Sequence, residues 1–228
     1  MMNDVIIACD FSNKQKLYTF LELLKEERPF IKIGMEMFYS EGPNIIKELK
    51  TKGYKIFLDL KLHDIPNTVY KAMKRIALLD VDITNVHAAG GIKMMEAAKR
   101  AIDELKAKTK LIAVTQLTSI DNITLKDELL ISHTIEETVK HYALNSKKAK
   151  LDGVVCSPLE APIINELGLI SVTPGIRFSN NANDDQARVT TPKKAKALGS
   201  TFIVVGRSIT QANNPLEAYL KAKKEFCS

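Results

Sequence analysis

The chain has 228 residues, 45% of them hydrophobic and 26% charged, with a formal net charge of +6. That balance excludes a disordered chain, and the length allows about 70% of the unfolded surface to be buried without disulfide staples. No uncharged apolar run approaches the ~20 residues of a membrane span, and the opening MMNDVIIACDF lacks the basic flank and long apolar core of a signal peptide.

In chain order, DVIIACD reads as a first strand closed by Asp10, followed by an amphipathic stretch over 14–27. FIKIGMEMF reads as a second strand carrying Lys32, with a helix over 43–51 after it. YKIFLDLKL is the third strand, followed by a helix over 66–79. DITNVHA, ending near His87, is the fourth, followed by a helix over 92–107. KLIAVTQLT and LDGVVCS are strands five and six, trailed by helices over 134–147 and, more weakly, 159–167. GLISVTPG and TFIVVGR complete the series, with helices over 192–198 and 214–226. Pro43, Pro66, Pro192 and Pro215 each stand where a first helical turn begins. Eight β-then-α units without a linker predict one α/β domain over 1–228, a closed (β/α)8 TIM barrel. A doubly wound sheet is the alternative, but no G-x-G-x-x-G turn follows the first strand.

The third strand poses a question. FLDLKLHDIP sets Asp59, Lys61 and Asp64 among apolar neighbours, although interiors reject charges that are not paired. Alternation puts Asp59 and Lys61 on one side of the strand, while Asp64 lies past its end. Other polar residues gather at the same ends of the units: Asp10, Lys32, His87, Thr118, Arg177 and Arg207. That is where barrel active sites are built, and buried ion pairs are poor stabilisers relative to apolar replacements, so a functional array is expected.

His63, His87, His133 and His141 show no H-x-x-x-H or H-x-H spacing, so no metal site is expected, and His87 reads as a packed histidine. Cys9, Cys156 and Cys227 form no spaced cluster and read as reduced thiols of a cytosolic protein, Cys9 being structural among apolar neighbours. The lysines scatter over helical stretches such as KAMKR and KAKKEF, with few aromatics between them. Solvated helix faces are therefore expected rather than a nucleic-acid surface.

The loops after strands seven and eight read TPGIRFSNNANDDQARVTTP and VVGRSITQANNP. Barrels often hold phosphate there. Gly206 permits close backbone approach, and Arg207 offers a planar fork for phosphate oxygens. The polar stretch 178–191 is long for such a connection and reads as a closing lid. A phosphorylated small molecule is the expected substrate.

DLKLHDIPNTV resembles the D-x-K-x-x-D-I-P-x-T signature of the orotidine 5'-phosphate decarboxylases. The likeness runs the length of the chain through ACDF, IKIGMEMF, VTQLTS, TPGIR, DDQARVTTP and VVGRSIT, departing at Phe178, where proline is common. The resemblance implies conversion of orotidine 5'-monophosphate to uridine 5'-monophosphate and carbon dioxide, with neither metal nor organic cofactor. It implies Lys61 as proton donor within a Lys32, Asp59, Lys61, Asp64 array, Asp59 lying by the departing carboxylate. It further implies Asp10 and Lys32 at the ribose, Thr118 at the pyrimidine, Gln186 between ring and phosphate, and Arg177 and Arg207 around the phosphate. A homodimer follows, with Asp64 and Thr68 reaching the neighbouring site.

This chemistry explains charges in a strand. Losing carbon dioxide leaves an electron pair on an sp² carbon without an adjacent sink, so the protein must stabilise that charge and then protonate it. A lysine between aspartates can do both. Two rivals remain. The magnesium-dependent 3-keto-gulonate 6-phosphate decarboxylases share the Asp-x-Lys-x-x-Asp strand but carry an acidic residue where this chain has Lys32. A non-catalytic phosphate- or nucleic-acid-binding barrel would need no lysine between aspartates.

Overall fold

The computed structural model describes residues 3–178 and 190–228. Eight parallel strands close into a barrel in sequence order: β1 (Asp4–Ala8), β2 (Phe30–Gly34), β3 (Ile56–Leu62), β4 (Ile83–His87), β5 (Lys110–Val114), β6 (Gly153–Val155), β7 (Ile170–Thr173) and β8 (Phe202–Val205). The seam joins the two ends of the chain, with Asp4 opposite Phe202 and Ile7 opposite Val205. The helices are α1 (Lys14–Glu22), α2 (Met35–Glu41), α3 (Asn44–Thr51), α4 (Pro66–Ala77), α5 (Gly91–Glu104), α6 (Ile135–Lys148), α7 (Ala161–Glu166), α8 (Pro192–Ala197), α9 (Arg207–Thr210) and α10 (Pro215–Cys227).

Local signals account for most helix starts. Asn13 and Asn214 accept hydrogen bonds from the amides of Lys16 and Glu217, and Thr134 with Glu137 forms a reciprocal capping box ahead of α6. Pro66, Pro192 and Pro215 each occupy the first helical position, where a missing N–H costs nothing, and Pro43 immediately precedes α3.

Side-chain alternation divides the core in two. One set (Leu58, Leu60, Val86, Ile203 and Val205 among them) points outward and packs beneath the helices. The other (Ile6, Ala8, Phe30, Phe57, Ile83, Ile112, Val172, Phe202 and Val204) points into the barrel and fills it, Phe30 meeting Phe202 edge-on at 6.0 Å. Full burial of a Phe or Ile is worth about 1.5–3 kcal/mol, so this plug is a major part of the fold's stability. It also forms the floor of whatever lies above it.

Four elements differ from expectation. FIKIGMEMF is not one strand: β2 stops at Gly34 and Met35–Glu41 is helix. The apolar spacing of Met35, Met37 and Phe38 suits either element, and Gly34 supplies the break. A Cβ on Gly34 would sit 3.2 Å from Asp10 Oδ1 and 3.3 Å from Lys32 Nζ, so glycine there leaves room for that ion pair. The stretch 14–27 is helical only to Glu22 and turns thereafter. The short α9 and a π-helical turn over Thr124–Glu128 had no periodic signal to mark them.

Candidate active site

One step above the apolar plug, the inward positions become polar. Lys32 stands two residues beyond Phe30, Asp59 two beyond Phe57, Asn85 two beyond Ile83 and Asp10 two beyond Ala8. Together with Lys61, Thr118, Arg177, Gly206 and Arg207, the residues Asp10, Lys32 and Asp59 line a cavity of about 440 Å³ at the C-terminal ends of the strands. Gln116, Ser119 and Ser208 line it as well and carried no sequence expectation.

Asp59 is the hub. Its Oδ1 lies 2.8 Å from Lys61 Nζ, its Oδ2 lies 3.5 Å from Lys32 Nζ, and Asn85 Nδ2 donates to Oδ1 at 2.7 Å. Lys32 extends the chain of charge to Asp10, 2.8 Å away. Burial alone would raise the Asp59 carboxyl, but the ammonium groups of Lys32 and Lys61, with hydrogen bonds from Lys61 and Asn85, hold it below the ordinary carboxylate range. For Lys32 burial opposes the charge, yet Asp59 and Asp10 outweigh it and raise the ammonium above its usual value. Asp59 is therefore an anion and Lys32 a cation at neutral pH.

The strand under this array is irregular. Leu58 pairs with Thr84 but Leu62 with Val86, so β3 advances four residues while β4 advances two. Lys61 sits in the extra length with a φ of 51°, the left-handed region that side-chain-bearing residues rarely enter. Simple alternation predicts that Asp59 and Lys61 share a side, and they do, across a bulge rather than a regular pleat.

Not every expected residue is gathered here. Asp64 and Thr68 are exposed and do not line the cavity; the Asp64 carboxylate accepts from the Ile65 amide at 2.7 Å. Gln186 and the interior of the expected lid, 179–189, lie outside the described residues. The stems of that loop meet in a small bridge: Arg177 N–H donates to the Thr190 carbonyl at 2.9 Å and Thr190 N–H to the Gly175 carbonyl at 3.0 Å. Phe178 packs against the outer core, with Lys221 Nζ 4.8 Å from its ring centre.

The remaining candidates resolve as structural groups. Burial, then the Asp10 charge, pushes the Cys9 thiol far up, so it offers no thiolate. His87 is half-buried with its ring 5.6 Å from that of His63, and burial, His63 and Lys61 all lower its proton affinity.

Residues 3–222 match the model of the orotidine 5'-phosphate decarboxylase / HUMPS family. The chain belongs to this family. It is 54% identical to the orotidine 5'-phosphate decarboxylase of Bacillus cereus strain Q1 over 99% of this chain and 98% of that one. It is 53% identical to the corresponding enzyme of Bacillus cytotoxicus over the same shares. The crystal structure of orotidine 5'-phosphate decarboxylase from Lactobacillus acidophilus superposes with a TM-score of 0.88 at 44% identity, covering 99% of this chain and 100% of that one. These relatives all bear the decarboxylase name. Asn85, bonded to the Asp59 hub, is a further residue that reading the sequence missed. Its signal was present, since in ITNVH it shares strand parity with Ile83 and so faces inward.

Proposed function

We propose that this chain, as a single catalytic barrel over 1–228, decarboxylates orotidine 5'-monophosphate to uridine 5'-monophosphate in de novo pyrimidine biosynthesis. The carrying observation is the continuous Lys61–Asp59–Lys32–Asp10 array at the mouth of the barrel, beside Arg177 and Arg207.

The ring's C–C bond breaks, carbon dioxide leaves, and the electron pair stays on the ring carbon. Lys61 stabilises that pair as a cation and gives it a proton, then regains one from solvent. A unit charge about 4 Å away is worth about 4 kcal/mol at an effective dielectric near 20, roughly a thousandfold in rate. Asp59 holds Lys61 and faces the departing carboxylate. Asp10 and Lys32 bind the ribose, Thr118 the pyrimidine, Gln186 the ring and phosphate, and Arg177, Gly206 and Arg207 the phosphate.

The magnesium-dependent reading fits less well. The Asp10 and Asp59 carboxylates are both engaged by the Lys32 ammonium, and a divalent cation beside it would be repelled. Purified protein should lower the absorbance of orotidine 5'-monophosphate as it is converted, at a rate unchanged by excess EDTA. A loss of rate that Mg²⁺ restores would move the assignment to the other branch of the family.

Arg207→Ala should raise KM about 10–100-fold, the worth of one charge-assisted hydrogen bond to phosphate, and harm turnover of the unphosphorylated nucleoside far less. Equal losses toward both substrates would remove Arg207 from the phosphate.

We further propose a cytosolic homodimer with shared sites. None of the three cysteines is in a disulfide. Asp64 and Thr68 sit exposed next to Ile65 (67% exposed), and α2, after the neighbouring strand, exposes Tyr39 (71%). Apolar side chains placed so beside polar ones suit a second copy of the chain.

A further inference from the structure

We infer that Asn85 is a positioning residue for the reaction: its one side-chain amide fixes both the backbone of Lys61 and the carboxylate that Lys61 pairs with. This rests on the proposed roles of Lys61 and Asp59.

Asn85 is fully buried in β4. Its Nδ2 donates to Asp59 Oδ1 at 2.7 Å, and its Oδ1 accepts the Lys61 backbone N–H at 2.8 Å. The two partners force the amide's orientation, because a carboxylate can only accept and a backbone N–H can only donate. The bulge explains why such a residue is required. Where β3 runs long against β4, the Lys61 N–H meets the Asn85 side chain at 2.8 Å in place of a paired strand residue. A buried N–H without a partner is costly, and so is a φ of 51° in a lysine. Asn85 meets the first cost and thereby holds the second conformation in place.

The contacts close a ring. From the Lys61 backbone the path runs through the Asn85 amide to Asp59 Oδ1, then 2.8 Å to Lys61 Nζ, and back along the lysine's own side chain. Both ends of Lys61 are thus referred to one rigid strand residue. Reaction rates are steep in such placement: an error of about 1 Å can cost about 100-fold. Leucine at 85 would fill the space with neither bond. Aspartate would keep the acceptor for Lys61 N–H but set a second carboxylate against Asp59. The other charged or titratable groups facing Asp59 are Lys32 from β2, Lys61 from β3 and His87 from β4, with Asp10 beyond Lys32.

The test compares Asn85→Leu, Asn85→Asp and Lys61→Ala with the wild-type protein. Asn85→Leu should lower kcat about 10–100-fold while KM and the Kd of uridine 5'-monophosphate stay within about twofold. Asn85→Asp should be least active relative to wild type near about pH 8. Its relative activity should climb about tenfold or more toward about pH 5.5, as the two carboxylates come to share a proton and the protonated acid donates where the amide did. Asn85→Leu should show no such climb. A kcat within twofold of wild type, or an equal loss of kcat and nucleotide binding, would overturn the inference. So would a flat pH ratio for Asn85→Asp, which decides alone if the leucine variant does not fold. Should Lys61→Ala keep wild-type turnover, the underlying roles fall and the inference with them. Inactive Lys61→Ala with unaffected Asn85 variants would sink the inference only.

Discussion

Lys61→Ala should lose about 10⁴-fold or more in turnover while the Kd of uridine 5'-monophosphate changes little, because the two functions assigned to the lysine act only as the bond breaks. Proton transfer from a positioned acid is worth about 10²–10⁴-fold, and the cation's stabilisation of the developing charge about a thousandfold more, though the two are not additive. The ribose and phosphate contacts come from other residues, so product binding should survive. Alanine is the informative substitution here. At a φ of 51° it keeps the backbone cost that lysine bears, whereas glycine would relieve it and mix a conformational gain into the result. Steady-state absorbance assays with equilibrium binding of the product give both quantities. Turnover within tenfold of wild type would remove Lys61 as the proton donor.

Asp64→Ala and Lys61→Ala, each inactive alone, should recover activity when unfolded together and refolded as an equal mixture. Asp64 is exposed, turned to its own Ile65 amide at 2.7 Å, and absent from the lining of its own chain's cavity. If it completes the site of a second copy, a twofold dimer of the two variants carries one doubly altered site and one intact site. Random assembly makes about half of the dimers mixed, so about a quarter of all sites should regain activity. Mass measurement establishes that mixed dimers formed. Recovery no greater than the sum of the separate variants would mean that each subunit supplies its own Asp64.

Much of the fold was legible because each β-then-α unit carries its own signals: a β-branched run, a polar break, then an apolar stripe behind proline or asparagine. The polar layer of the site was legible for a related reason. Lys32 and Asp59 violate the apolar rule at inward positions, and a violation inside a strand stands out in sequence. What escaped was whatever depends on pairing between strands. Lysine at 61 gives no hint of a left-handed backbone, since glycine or asparagine would be the usual marker. The bulge emerges only when β3 is laid beside β4, and Asn85 acquires its importance only from that bulge. Met35–Glu41 was misread because a short apolar run fits both periods, and the reason for glycine at the break, room for the Asp10–Lys32 ion pair, depends on Asp10 at the end of another strand. Asp64 and Thr68 are unreadable from one chain, because exposure says where they are not needed and not where they are.

The seam of the barrel sets a schedule for its own formation. β1 is bounded on one side by β2 and on the other by β8, whose pairing with it runs from Asp4–Phe202 to Ile7–Val205. At synthesis rates of about 5–20 residues per second, the first strand is made roughly 10–40 s before its last neighbour exists. For that interval one side of β1 has open amide and carbonyl groups and an apolar inward face, the combination that invites pairing with foreign strands. The final helix shares in the delay: α10 lies against β1 and buries Phe226 fully. The ribosome must therefore release nearly the whole polypeptide before the first five strand residues reach their finished surroundings, a delay set by the topology rather than by any one side chain.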